Sequence, residues 1–269
     1  MGTSTHNSGQ KGKTPLVPSW LQIVETTGET IPNDINVITQ IGDSNRFTSP
    51  RGEFTRYINS GGHNFNVAKK SISNYVKNSM GGSQNATQRL GSARKSTAIL
   101  FNIASLFASD GVHAVEQYLS ISNLAHKKAD EIFISIIDFV CPDGGPQDEG
   151  IARSAYISAL SDYPELAEIT FDELNNNQMM LLIEKSMTNV VYNRILNDIG
   201  NKIISLPDNP TISDNLAHQI KDFIEGGISD AIAKLNIRVD ALSQTDSLAI
   251  VDNIYKTAFD IMAAEGDIE

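Results

Sequence analysis

The sequence predicts an all-α protein: a helical bundle with an extended, flexible N-terminal tail. From about residue 84 onward, apolar side chains recur at helical spacing, as in the stripe of Val112, Val115 and Leu119. Residues 1–14 are instead built mainly from Gly, Ser, Thr, Asn, Gln and Lys, a composition typical of disorder. We expect a tail and docking segment over 1–45, a basic helical subdomain over 46–97 and an acidic all-α bundle over 98–269.

An apolar segment follows the tail. Pro15 and Pro18 favour an extended backbone, because each proline fixes its own φ and disfavours helix in the preceding residue. Leu16, Val17 and Trp20, the only tryptophan, lie between and after them. An extended apolar segment beside a disordered tail is typical of a short docking motif for a partner. The alternative is that these side chains hold the tail against the protein's own core.

The segment 41–100 is basic, with nine Lys and Arg against two acidic residues, although the whole chain has a net charge of −11. Aromatic side chains are interleaved with the cations, as in proteins that bind nucleic acid. No named nucleic-acid-binding motif is present, so the partner of this charge could equally be an acidic protein or the chain's own acidic bundle. The candidate anion-binding residues are Arg46, Arg51, Arg56, Arg89, Arg94 and Lys95.

The helical elements are predicted from apolar stripes and from the residues that interrupt them. Gly61-Gly62, Gly81-Gly82 and Ser109-Asp110-Gly111 are the expected breaks. Thr170 and Glu173 fit a capping box that would open a long helix. We predict helical segments within 46–60, 67–79, 98–107, 112–119, 132–140, 148–160, 172–203, 213–235 and 245–264.

The sequence contains no catalytic or cofactor-binding motif that we recognise. Lys95-Ser96-Thr97 suggests a phosphate-binding loop, but Arg94 stands where that loop needs glycine. No histidines have metal-ligand spacing, and the single cysteine, Cys141, is expected to be buried as a small apolar residue. We therefore expect no metal, no cofactor and no enzymatic activity. The longest apolar runs are only a few residues and no signal peptide is evident, so we expect no membrane span and a cytoplasmic location.

Gly2 gives the N-terminus a chemistry of its own. Glycine is small enough for Met1 to be removed, which would expose an α-amine with a pKa near 8, against about 10.4 for lysine. At neutral pH the neutral, nucleophilic form of such an amine is on the order of a hundredfold more abundant than that of a lysine. A mobile tail could carry this amine into an enzyme's pocket, although an ordinary frayed terminus has the same composition.

Several short stretches of the first 155 residues are shared with a known family. They are Met1-Gly2-Thr3-Ser4, Pro15-Leu16-x-Pro18-x-Trp20, Arg46-Phe47, Gly81-Gly82 to Arg94, and Cys141-Pro142-Asp143-Gly144-Gly145 through Asp148-Glu149-x-Ile151-Ala152-Arg153. Together they resemble the QatB family of the bacterial Qat anti-phage system. None of these motifs is catalytic, and the C-terminal helices add little to the resemblance.

The resemblance implies a set of partners and a modification. The family is encoded beside an ATPase, a TatD-like nuclease and a QueC-like enzyme, QatC. QueC-like enzymes use ATP to act on 7-deazaguanine precursors, and in defence systems would attach a deazaguanine nucleobase to a partner's N-terminal amine. By this resemblance the chain is a non-enzymatic defence component that binds QatC and is modified at Gly2. A nucleic-acid-binding subunit or scaffold using residues 46–97 is the alternative. The residues expected to dock the tail are Thr3, Ser4, Leu16, Val17 and Trp20.

Overall fold

The structure is a computed structural model that describes residues 45–141, 146–200, 210–238 and 246–267. Within these ranges it contains α-helices, short 3-10 and π turns, and no strand beyond a single bridge between Lys128 and Thr170. The predicted all-α class is therefore confirmed.

Ten α-helices occur in the described ranges, joined by π turns at Tyr75–Ser79 and Leu196–Gly200 and by 3-10 turns at Pro164–Ala167 and Phe171–Glu173. The helices are α1 (Thr48–Asn59), α2 (Phe65–Asn74), α3 (Ser83–Gln88), α4 (Ala93–Leu119), α5 (Ala129–Ser135), α6 (Ile137–Val140), α7 (Pro146–Ser161), α8 (Asn176–Ile195), α9 (Pro210–Lys234) and α10 (Ser247–Glu265).

Paired glycines follow α1 and the first π turn, where the sequence predicts breaks. Gly61 and Gly62 have φ of +64° and +83°, and Gly81 and Gly82 have φ of +72° and +110°. Glycine adopts positive φ without the strain that a side chain would cause, so the chain reverses here. Gly62 also faces α9, because a Cβ at this position would lie 2.9 Å from Cδ2 of Leu216. Because Gly62 has no side chain, the α1–α2 turn can pack closely against α9.

The last helix, α10, is the centre of the packing. It contacts α2, α3, α4 and α9, and it buries Ile254, Phe259 and Met262. Gly227 allows α9 to approach closely, since a Cβ there would lie 2.9 Å from Cγ of Met262. Helix α8 in turn contacts α4, α7 and α9. One continuous apolar core therefore joins the first described helices to the last.

The long helix predicted over 172–203 is shorter than expected. Thr170 and Glu173 form the predicted capping box, but this box opens only the 3-10 turn Phe171–Glu173. Helix α8 starts at Asn176 with its own capping box, in which the Asn175 side chain accepts from the amides of residues 177 and 178. The α-helix ends at Ile195 and continues as the π turn to Gly200. The sequence prediction merged three elements because the apolar stripe runs through all of them.

Helix α4 contains the two helices predicted over 98–107 and 112–119. The predicted interruption is a kink at Gly111, where φ is 73° and ψ is −164°. By length and composition alone α4 could cross a membrane. However, it buries Leu100, Phe101 and Ile103 and packs against α8 and α10. These contacts are those of a core helix, which is what the sequence predicts for residues 98–107.

All described residues fall in one compact unit, which runs from Ile35 to Glu269. Helix α1 contacts the second π turn, while α2 and α3 contact α10. The division predicted between residues 97 and 98 stays a prediction.

Candidate functional site

The residues predicted to dock or to be modified lie outside the described part of the chain. They are Gly2, Thr3, Ser4, Leu16, Val17 and Trp20. Of the six candidate anion-binding residues, all are described, and three of them meet around one carboxylate.

That carboxylate is Asp198, in the π turn that follows α8. Arg89 donates to both of its oxygens, from Nε to Oδ2 at 3.2 Å and from Nη2 to Oδ1 at 2.9 Å. The Tyr75 hydroxyl donates to Oδ2 at 2.8 Å. Arg51 donates to the backbone carbonyl of Asp198 from Nη2 at 2.7 Å and Nε at 3.1 Å. The side chain of Asp198 is 5% exposed, so these bonds replace solvent around a buried charge.

Aromatic rings complete the arrangement, which we call the Asp198 network and which comprises Arg46, Phe47, Arg51, Tyr75, Arg89 and Asp198. The guanidinium groups of Arg46 and Arg51 lie 4.8 Å and 5.1 Å from the centre of the Phe47 ring. That ring stacks on Tyr75 at 6.1 Å. Cations over an aromatic face are attracted by its negative charge density. Phe47 thus lies against two of the arginines that surround Asp198.

The network affects the proton affinities of its members. Burial, and then the negative charge of Asp198, raise the pKa of Tyr75 well above its ordinary value. Tyr75 therefore remains a neutral donor to the carboxylate. Burial, and then repulsion from Arg89, lower the pKa of Arg46, while Asp198 opposes this change. Arg46 and Arg89 are therefore close enough to repel each other, and Asp198 offsets part of this repulsion.

The remaining candidates lie apart from the network. Arg94 donates to Asp252 of α10 at 2.8 Å. Arg56 is exposed, with a long contact of 3.4 Å from Nε to the Gly52 carbonyl, and Lys95 is exposed.

Other cations of the basic segment also contact the acidic half of the chain. Lys69 pairs with Glu265 at 2.9 Å, and Lys77 pairs with Asp267. With Arg89–Asp198 and Arg94–Asp252, four ion pairs join residues 46–97 to residues 198–267. The sequence allowed three partners for this basic charge: nucleic acid, an acidic protein and the chain's own acidic bundle. The contacts favour the acidic bundle.

The sequence prediction missed Asp198. It is the only acidic residue between Glu184 and Asp208, and it lies near Val191, Ile195 and Ile199 of the apolar stripe. A lone carboxylate on a buried helical stripe needs a cation, and this pattern could have revealed the pairing. The structure confirms the prediction for Cys141, which is buried at the end of α6.

A cleft of about 410 Å³ lies where α2 meets the end of α10, and none of the predicted site residues lines it. Its lining includes the side chains of Asn64, Asn66, Lys70 and Asn74. Asn74 already donates to Glu53 at 2.6 Å. In the described ranges, no group of three or more His, Cys, Asp or Glu side chains is placed to hold a metal ion.

The fold and the network define a class of protein. It is an all-α protein in which basic helices nearer the N-terminus form ion pairs with acidic helices nearer the C-terminus. A family model described as "QatB: Qat anti-phage system associated protein QatB" matches residues 81–262, more than half of the chain. The chain therefore belongs to the QatB family, and it takes part in an anti-phage defence system. Neither the curated proteins nor the solved structures contain a match.

The family match and the resemblance seen in the sequence cover different ranges. They share residues 81–155, but the match extends through α8, α9 and α10, which contribute little to the resemblance. The tail and α1 lie before the matched range. Arg89, Arg94, Lys95 and Asp198 are within it.

Proposed function

We propose that this chain is a non-enzymatic component of the Qat defence complex that binds the QueC-like protein QatC in the cytoplasm. In this proposal the QatB chain is also the substrate of QatC, with the Qat ATPase and the TatD-like nuclease as further partners. The observation that carries the proposal is membership of the QatB family.

The proposed modification is at Gly2. Removal of Met1 would leave a primary α-amine, whose nitrogen would form the new bond and lose a proton. The partner would use ATP to activate the deazaguanine precursor by adenylation or phosphorylation, and AMP or phosphate would leave as the amine attacks. Leu16, Val17 and Trp20 would hold the tail on QatC, with Thr3 and Ser4 close to the reacting amine.

Intact-mass measurement tests the modification. The chain is coexpressed with the other Qat proteins, purified and weighed, and we expect a deazaguanine adduct on the N-terminal peptide. Gly2→Pro replaces the primary amine by a hindered secondary one, so the adduct and phage resistance should both be lost. Gly9→Pro is the matched control, because it changes the same tail but keeps the amine. An unmodified wild-type chain, together with full resistance in the Gly2→Pro variant, would refute the proposal.

Docking of the tail can be followed through Trp20, the only tryptophan. Transfer of this ring from water to an apolar pocket of QatC would shift its emission to the blue, and Leu16→Ser should weaken binding. An emission spectrum that stays unchanged in a complex shown to form would place Trp20 outside the interface.

The nucleic-acid alternative remains a prediction for the exposed cations Arg56 and Lys95. It requires binding that weakens as salt is added and that falls when both are changed to alanine. The ion pairs of Lys69, Arg89 and Arg94 with the acidic helices weigh against it, because these charges are already neutralised.

A further inference from the structure

Three large apolar side chains are exposed on consecutive helices. Ile134 of α5 is 57% exposed, Phe139 of α6 is 39% exposed and Ile157 of α7 is 48% exposed. Single exposed apolar residues are common, but several on adjoining elements indicate a contact surface.

The exposed positions of α5 and α6 lie on one face. Glu131, Ile134, Ser135, Asp138 and Phe139 are all exposed, and their spacing is that of a single helical face. The two helices meet at Ile136, whose amide bonds to the carbonyl of Ile132 in α5 and whose carbonyl accepts from the amides of Phe139 and Val140 in α6. Ile134 therefore lies one turn before Asp138.

An ion pair joins this face to α7. Arg153 donates from Nη1 to Oδ1 of Asp138 at 2.6 Å, and Ile157 lies one turn after Arg153. On the buried side, the Tyr156 hydroxyl donates to the Phe133 carbonyl at 2.8 Å. The two isoleucines thus flank the same ion pair. The exposed neighbours of Ile157 on α7 are small, Ser154 and Ser161, which leaves room for a partner to approach.

Phe139 is held in place before any partner binds. Its ring meets Tyr118 of α4 edge-to-face, with ring centres 5.3 Å apart and planes at 82°. Because its rotamer is already fixed, an aromatic anchor of this kind loses little conformational entropy on binding.

The charge around Ile134, Phe139 and Ile157 limits which kind of partner could bind over them. The described side chains of α5, α6 and α7 include three carboxylates, Asp130, Glu131 and Asp138, against the single guanidinium of Arg153. A second copy of this chain would bring another net charge of −11, and an anionic membrane surface would also be repelled. A partner segment with both cationic and apolar side chains would complement the carboxylates and the exposed apolar side chains of this surface.

We propose that this surface, formed by Ile134, Phe139 and Ile157 and edged by Glu131 and Asp138, binds an amphipathic helix of another protein whose polar face carries Lys or Arg. The surface lies far along the chain from Gly2, and the proposal does not depend on modification of the tail.

Copurification with the coexpressed Qat proteins tests the proposal. The double variant Ile134→Ser/Ile157→Ser should lower the affinity for one identified partner by roughly tenfold or more, because both substitutions remove apolar surface that the partner would cover. Leu235→Ser/Leu248→Ser is the matched control, because those leucines are 36% and 40% exposed elsewhere, Leu235 just after α9 and Leu248 in α10. Equal retention of every partner by both double variants would overturn the proposal. Unchanged unfolding midpoints would show that the substitutions act on the surface and not on the fold.

The chemistry of the occupant is tested by crosslinking. Ser154 is replaced with the photoreactive residue p-benzoylphenylalanine, and the crosslinked peptide is identified by mass spectrometry. A crosslink to a Lys- or Arg-rich helical segment of another Qat protein is the expected result. A crosslink to a second copy, to an acidic segment, or to no protein in a complex that forms would overturn the assignment. The mass of the N-terminal peptide, measured in the same samples, reports separately on the modification of Gly2.

Discussion

Asp198 accepts hydrogen bonds from three side chains that the sequence places more than a hundred residues away. The carboxylate receives Arg89 and Tyr75, and its backbone carbonyl receives Arg51. A buried charge with this many donors costs little to keep, but its partners become costly once it is removed. Three residues of the basic segment thus depend on Asp198.

We expect Asp198→Ala to lower the free energy of unfolding by about 3–5 kcal/mol, because the partly buried Arg89 and the buried Tyr75 hydroxyl would both lose the carboxylate that they contact. Lys256→Ala is the control, since it removes an exposed ion pair with Asp260 worth roughly 0.5 kcal/mol or less. Urea unfolding followed by circular dichroism measures both. Equal losses in the two variants would contradict the role given to Asp198.

Glu184 is expected to make stability depend on pH. Burial, and then repulsion from Glu225, raise the pKa of Glu184 above its ordinary value of 4.5, although Ser229 and Lys185 oppose the change. The folded chain therefore holds this proton more tightly than the unfolded chain. The contribution of Glu184 is most favourable at low pH and declines as pH rises from about 4.5 through the raised pKa.

Glu184→Gln should therefore raise the thermal midpoint at pH 7 relative to the wild-type protein, with little gain at pH 4. The exposed residue Glu168, changed to Gln, is the control and should show no such difference. A gain for Glu184→Gln that is the same at both pH values would exclude an effect of titration.

At the scale of the element, α4 is defined by its kink. Gly111 has φ 73° and ψ −164°, a region that residues with a side chain almost never occupy. No atom lies within 4 Å of a Cβ added there, so the only cost of a substitution is conformational. The kink sets the direction of the last two turns of α4, which carry Val115 and Tyr118.

We expect Gly111→Ala to destabilise the protein by about 1–3 kcal/mol. Gly226→Ala is the matched control: it lies within α9, also with no atom within 4 Å, and should gain about 0.5–1 kcal/mol from helix propensity. Denaturant unfolding of both variants measures the difference. A stabilising Gly111→Ala would mean that the kink relaxes without cost.

At the scale of the whole molecule, the packing of the described helices depends on the last of them, α10. Because α10 contacts α2, α3, α4 and α9, deletion of residues 247–269 should abolish cooperative unfolding. A chain lacking residues 1–34 should still unfold cooperatively, since the described core lies within residues 45–267. Thermal melts followed by circular dichroism distinguish the two. A cooperative transition in the chain lacking α10 would contradict this assignment.

The sequence predicted most helices but not what their charges contact. Apolar periodicity located α1, α7, α9 and α10 to within a few residues, because each helix buries one stripe in a shared core. It could not separate the turn at Phe171–Glu173 from α8, since capping boxes precede both. It also could not show that Arg89 meets Asp198, because ion pairing between distant segments leaves no local pattern. For the same reason, the sequence could not show that Ile134, Phe139 and Ile157, on three separate helices, are exposed together.

The position of α10 has a consequence for synthesis on the ribosome. Residues 46–97 are translated well before residues 247–267, and bacterial elongation at roughly 5–20 residues per second makes this interval on the order of ten seconds. During that time Lys69, Lys77 and Arg94 are without the carboxylates that they contact in the finished fold. The nascent chain therefore presents basic, partly apolar helices, which makes it a candidate client for a holding chaperone until its last helix emerges.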